Sequence, residues 1–221
     1  MNLVCNIAVG AVASLVATLV WVLVGNVYRV NIRLKNAALL WDAENTSRSV
    51  YHNFEFDKYD LGMMGVFKLH DLLNQLQTSL FWGNYPRPAE RKLFFTYIYH
   101  IKRILDISKN LSVGGRNARE EDEYRCKKLL KRYFIYTNNT GEEYQTIEVL
   151  LHLLYRLNNN EGYTRALTFS SVAPDMTKKD LCELIDVNSF KSNEHDGDEQ
   201  RKRCFTQEEY KKFLDKYFIQ N

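Results

Sequence analysis

Residues Leu3 to Gly25, LVCNIAVGAVASLVATLVWVLVG, carry no charged side chain. As a helix rising about 1.5 Å per residue the run measures roughly 34 Å, enough to cross a hydrocarbon core of about 30 Å. A stretch this apolar must lie in lipid or be enclosed by the rest of its own chain. A cleaved signal peptide needs a basic region ahead of a shorter apolar run of about 7 to 15 residues, and nothing basic precedes this one. The expectation is a retained transmembrane helix, in preference to a signal peptide or a buried core helix.

Arg29, Arg33 and Lys35 follow the run at once, whereas the short amino-terminal end offers only its α-amino group. Cations concentrate on the cytoplasmic side of a span, so the sequence predicts a single-pass protein of the plasma (inner) membrane with its carboxyl-terminal part in the cytoplasm. Trp21 and Tyr28 flank the inner end, where amphipathic rings favour the headgroup region. These five residues are the expected membrane-interface set, and the bilayer is the first expected partner.

The run is not uniform around its circumference. Asn6, Gly10, Ala13, Ser14 and Ala17 recur at three- and four-residue steps and form one small, slightly polar stripe. Such a stripe lets helices approach closely, which points to self-association and a pore, although Gly, Ala and Ser are common in any span.

Past the run, Val27, Val30, Leu34, Ala37, Ala38 and Trp41 keep a helical spacing, so the helix is expected to continue as a stalk. Residues 44 to 60, ENTSRSVYHNFEFDKYD, lose this rhythm and mark the expected boundary, giving residues 1–43 as transmembrane helix and stalk and 44–221 as a helical domain. Further helices are predicted at Leu61 to Phe81, Pro88 to Leu111, Asn117 to Tyr136 and Glu142 to Leu157, with shorter ones after Thr164 and Thr177. Capping-box spacing pairs Thr140 with Glu143, and Thr206 with Glu209 ahead of a closing helix to about Phe218. Lys191 to Arg203 is polar and charge-rich, as in an exposed loop. With 45% apolar residues and three prolines, Pro86, Pro88 and Pro174, the chain reads as all-α, a transmembrane helix and stalk followed by a cytoplasmic helical bundle.

Chemistry leaves few traces. Nucleotide-binding GxxxxGK[ST] and GxGxxG loops, the GxSxG elbow and the HExxH pair do not occur. Cys5, Cys126, Cys182 and Cys204 are far apart and without zinc-finger histidines, so neither a metal nor a disulfide scaffold nor a cofactor is expected. His70 beside Asp71, and His195 beside Asp196 and Asp198, read as structural or merely exposed. The segments Phe94 to Tyr99 and Tyr133 to Tyr136 are rich in aromatic residues but fall within amphipathic helices, where core packing outweighs base stacking.

One group has electrostatic content: Arg125, Lys128 and Arg132 share a helix face, with Lys131 beside them. A basic face of this kind can hold a nucleic acid, an oligonucleotide signal or inner-leaflet headgroups. It can also be a solvated face balanced by Glu120, Glu121, Asp122 and Glu123, in a chain of net charge only +3.

The order of parts, carried by the uncharged LVCNIAVGAVASLVATLVWVLVG span, the basic YRVNIRLK exit and the helical remainder, resembles small single-span bacterial membrane effectors of antiviral defence. These include the pore-forming accessory proteins of RNA-targeting CRISPR loci and oligonucleotide-gated channels. The resemblance covers layout alone and transfers no functional residue. It implies a homo-oligomeric pore or ion channel, gated through the cytoplasmic domain by an anionic signal or by a protein partner encoded nearby. The accessory proteins with a HEPN-like nuclease domain carry an Arg followed after four to six residues by His; Arg48 and His52 are one residue too close, so an enzyme is not expected. Two alternatives are a membrane-tethered binding module for nucleic acid or protein, and a divergent membrane-bound HEPN-like nuclease.

Overall fold

The computed structural model describes residues 2–79, 88–110, 118–159, 175–185 and 203–218, and within these the side chains other than those of 2–9, 110 and 118–120. Helix α1 runs without a break from Asn2 to Glu55, 54 residues, or about 80 Å. No glycine or proline occurs between Gly25 and Gly62. Nothing in the backbone therefore interrupts the helical hydrogen bonds where the apolar segment gives way to charged residues. The apolar segment stays outside the folded domain, and it is long and apolar enough to cross a membrane.

Residues 44–55 are helical, contrary to the loss of rhythm read in the sequence. The reversal comes at Phe56-Asp57-Lys58, where Asp57 takes a positive φ of 56°, a conformation an Asp side chain tolerates better than most. The buried face of α1 is Asn36, Leu40, Ala43, Ser47, Val50 and Phe54. Its steps of three and four are regular, but half of its residues are small or polar, so no apolar period appears in the sequence. The other set, Val27, Val30, Leu34, Ala38 and Trp41, is exposed, and only Ala37 is half-buried.

Helix α2 (Tyr59–Ser79) returns antiparallel against α1. The two approach closely because α2 presents Gly62 and Gly65 at the crossing. A Cβ on Gly62 would lie 2.2 Å from Cε1 of Phe54, and one on Gly65 would lie 2.5 Å from Cγ2 of Val50. Helix α3 (Pro88–Asn110) packs on α2 and carries Leu93, Phe94, Tyr97, Ile98, Ile101 and Leu105 into the core. These bounds lie within two residues of those predicted for α2 and within one for α3.

Helix α4 (Ala118–Leu129) opens into a π-helical turn at Leu130–Phe134 and then leaves the helical state. Strand β1 (Ile135–Thr137) pairs antiparallel with β2 (Glu143–Gln145), Tyr136 opposite Tyr144. This corrects the wholly helical expectation: the domain is mostly helical with one two-stranded hairpin among the described residues. Aromatic and β-branched residues favour the pleated state once a partner strand is present. The turn also removes the expected Thr140–Glu143 box. Asn138 Oδ1 accepts hydrogen bonds from the Thr140 backbone N–H at 3.0 Å, the Thr140 hydroxyl at 2.7 Å and the Glu142 N–H at 2.8 Å, while Gly141 supplies a φ of 86°. Helix α5 (Thr146–Asn158) begins only after the hairpin and fills the core with Leu150, Leu153 and Leu154.

Two short helices complete the described chain. Helix α6 (Lys178–Leu184) starts after Thr177, as expected, in a full capping box with Asp180; α7 (Gln207–Tyr217) starts in the predicted box of Thr206 and Glu209. Helix α7 docks on α3, where the Tyr97 and Tyr210 hydroxyls meet at 3.3 Å inside the core and Lys92 pairs with Glu209 at 2.8 Å. The region after Thr164 and the stretch from Lys191 lie outside the described residues, apart from Arg203.

Asp180 joins the cap to the hairpin. Burial pushes its carboxyl up, but the hydroxyl and backbone N–H of Thr177 and the hydroxyl of Tyr136 all donate to it and hold it below its ordinary value. A carboxylate depressed in this way stabilises the fold above its unfolded pKa, and the contribution disappears as pH falls through the folded value. Asp180→Ala is expected to cost about 1 kcal/mol at pH 7, a penalty that shrinks below about pH 4. Denaturation midpoints across that range check it, and a pH-independent penalty would contradict this account.

Candidate functional site

The small stripe lies on a helix whose whole circumference is exposed. Gly10, Ala13, Ser14 and Ala17 are open, and so are Val12, Leu15, Val16, Leu19 and Val20 around them. A Cβ at Gly10 would meet nothing within 4 Å, so among the described residues no neighbour occupies this face. Asn6 belongs to α1, but its side chain is outside the described set. The Thr18 hydroxyl donates to the Ser14 carbonyl at 2.8 Å. That internal bond is the one available to a hydroxyl where no water competes.

Trp21 and Tyr28 are exposed, as are Arg29 and Lys35, while Arg33 is half-buried. The domain starts at Arg33: its backbone carbonyl accepts a hydrogen bond from Asn158 Nδ2 at the end of α5, at 3.0 Å. One turn on, fully buried Asn36 accepts through Oδ1 from the Ser79 hydroxyl at 2.5 Å, at the end of α2. Arg33 lies eight positions past Gly25, about 12 Å of helix. The ends of α2 and α5 are therefore pinned to α1 just past the apolar segment, by a polar layer that an apolar period could not announce. Further along, Arg48 Nη2 reaches Glu44 of α1 at 2.6 Å and Glu148 of α5 at 2.8 Å, the second tying the two helices together.

The basic group is divided. Arg125 pairs with Glu121 at 3.4 Å and Asp122 at 3.7 Å on its own helix, and its guanidinium sits over the Tyr59 ring. Lys128, Lys131 and Arg132 remain exposed, Lys128 over the Tyr124 ring and Arg132 over that of Tyr133. The α-helix gives way to a π turn at Leu130, between Lys128 and Arg132. Three exposed cations at the end of a helix can attract an anion, but they form no enclosed pocket.

His70 turns from its sequence neighbour Asp71 to Asp106 of α3, with Nε2 to Oδ1 at 3.3 Å, while Nδ1 lies 3.3 Å from the Asn74 amide. Burial, with Lys109 close by, holds its pKa below the usual histidine value. Both ring nitrogens are occupied, which suits a structural link between α2 and α3. Among the described residues no group of three or more His, Cys, Asp or Glu side chains is placed to hold a metal; His195, Asp196 and Asp198 lie outside them. Cys126 and Cys204 are buried thiols outside any disulfide, pushed by burial to about 11 and about 12, far from a reactive thiolate at neutral pH. Phe94, Tyr97 and Phe134 are core residues rather than a stacking platform.

Comparison of the chain with known protein families, with curated proteins and with solved structures returns no match.

Proposed function

We propose that this protein is a homo-oligomeric membrane effector of bacterial defence, in which the cytoplasmic domain sets the packing of the first helices and so controls the permeability of the bilayer. The observation that carries this reading is the continuity of α1 from Asn2 to Glu55. The same helix supplies the apolar segment and, through Leu40, Val50 and Phe54, part of the core of the domain. A tether needs only to hold a domain near lipid, and a flexible joint suffices for that. Here no joint exists among residues 26–55, so a rotation or tilt of the domain moves the apolar segment as one body.

A single helix cannot enclose a pore, so assembly is required, and the stripe of Gly10, Ala13, Ser14 and Ala17 is the surface on which helices can approach closely. Replacing Gly10 or Ser14 with Ile is expected to reduce the oligomer seen in detergent and to abolish ion flux from protein-loaded liposomes. Flux unchanged by both substitutions would overturn the role of this surface.

The exposed cations Lys128, Lys131 and Arg132 favour a second reading, a membrane-tethered module that binds an anionic partner and conducts nothing. The two readings separate when residues 1–27 are exchanged for an unrelated span: a tethered module keeps its function, and a pore former loses it.

A further inference from the structure

We infer that the end of the helical domain nearest the apolar segment is a docking surface for anionic lipid headgroups, in which Arg91 of α3 and Lys211 and Lys212 of α7 join Arg29, Arg33 and Lys35 of α1. The inference rests on the reading of the apolar segment as a membrane span, and it adds to that reading a surface drawn from elements far away in the sequence.

Contacts between the helices fix the depth of each element. Asn36, which holds the end of α2 through Ser79, lies eleven positions past Gly25, about 16 Å of helix. Helix α3 runs antiparallel to α2, with Asp106 beside His70 at 3.3 Å and Lys102 beside Gln77 at 3.2 Å. From Asp106 back to Arg91 the chain advances about 22 Å, whereas from His70 to Ser79 it advances about 14 Å. Arg91 is exposed and stands roughly 8 Å beyond the level of Gly25, where the hydrocarbon gives way to headgroups. Helix α7 is held at the same end, since the Phe205 N–H donates to the Thr96 hydroxyl at 2.9 Å and Glu209 pairs with Lys92. Lys211 and Lys212 follow on α7, both exposed.

Charge defines the occupant. Among the described carboxylates of α3 and α7, those near this end are mostly engaged: Glu90 is buried, Glu209 is held by Lys92 and Asp215 by Lys178, which leaves Glu208 open. A surface so weighted towards cations complements the anionic leaflet, whose attraction falls off within about 8–10 Å. The exposed cations of α4 and its π turn cannot share in it. Phe134 packs on Phe54 at 5.5 Å and Arg125 sits over Tyr59, which places Lys128, Lys131 and Arg132 at the far end of α1. Phe54 is 29 positions past Gly25, about 43 Å of helix and several screening lengths from lipid.

The full-length chain, with Cys5→Ser and Cys182→Ser, tests this in vesicles of phosphatidylcholine with and without phosphatidylglycerol. The buried thiols of Cys126 and Cys204 report unfolding, as the temperature at which N-ethylmaleimide labels them. A lipid bound by the folded domain raises that temperature. Phosphatidylglycerol is expected to raise it by several degrees, and high salt to remove the rise. Arg91→Glu with Lys211→Glu and Lys212→Glu should lose at least half of the rise while unfolding as the parent does in phosphatidylcholine alone. The triple Gln variant gives the same test without reversing charge, should the Glu variant be unstable. Lys128→Glu with Lys131→Glu should keep the whole rise. No rise in protein that floats with the vesicles, or a rise that survives both triple variants or is lost equally with the Lys128 and Lys131 changes, overturns the docking surface and leaves the span standing. Protein that does not float overturns the span, and the surface with it.

Discussion

Gly62→Ala is expected to destabilise the domain by about 1–3 kcal/mol, the range for forcing extra volume into a packed core. On an exposed helix the same change would stabilise by up to about 1 kcal/mol, because alanine has the higher helix propensity. The sign is decided by Phe54: a methyl at Gly62 would lie 2.2 Å from its ring, and the ring is held edge-on by Phe134 at 5.5 Å and flanked by Tyr59 at 6.2 Å. A double-mutant cycle isolates this contact. Phe54→Ala alone is expected to cost about 3–5 kcal/mol as a cavity opens. In that background Gly62→Ala should become neutral or stabilising, since the methyl enters vacated space. Thermal or denaturant unfolding of the four proteins measures it. If Gly62→Ala costs as much without the Phe54 ring as with it, the close crossing of α1 and α2 is not the cause.

The second large effect concerns solubility. The twelve Leu, Ile and Val residues between Leu3 and Gly25 favour lipid insertion by about 0.3–0.6 kcal/mol each on the insertion scale. Together they supply roughly 4–7 kcal/mol, a preference of a thousandfold or more. The full chain is therefore expected to stay with membranes through alkaline carbonate washing and to need detergent for extraction. A chain lacking residues 1–25 is expected in the soluble fraction, because the described buried residues begin at Asn36. A full-length protein that is monodisperse in buffer without detergent would remove the basis for every membrane role proposed above.

Much of the architecture was legible from local pattern. Helices α2, α3, α5 and α7 show apolar steps of three and four, and Thr206 with Glu209 announces the start of the last one. The aromatic runs were assigned to the core on the same grounds, and Phe94, Tyr97 and Phe134 lie there. What escaped notice was set by distant partners. Residues 44–55 read as a boundary because Ala43, Thr46 and Ser47 give no apolar signal, yet all three are buried, and Val50 and Phe54 beyond them make the close crossing with Gly65 and Gly62. Ile135 to Tyr136 read as the end of a helix because nothing local reveals that Tyr144 waits opposite Tyr136.

The sequence by itself determined that a long uncharged segment begins the chain, that cations follow it and that helices dominate the remainder, because transfer free energy and helical period depend on the identity and order of neighbouring residues. Tertiary structure alone decided that α1 is both the apolar segment and a core helix, which of its faces the domain takes, and that the Arg125 guanidinium sits over the Tyr59 ring while Lys128, Lys131 and Arg132 stay open. Those outcomes depend on which side chains meet across the fold and on which backbone groups they satisfy, quantities that no local window contains.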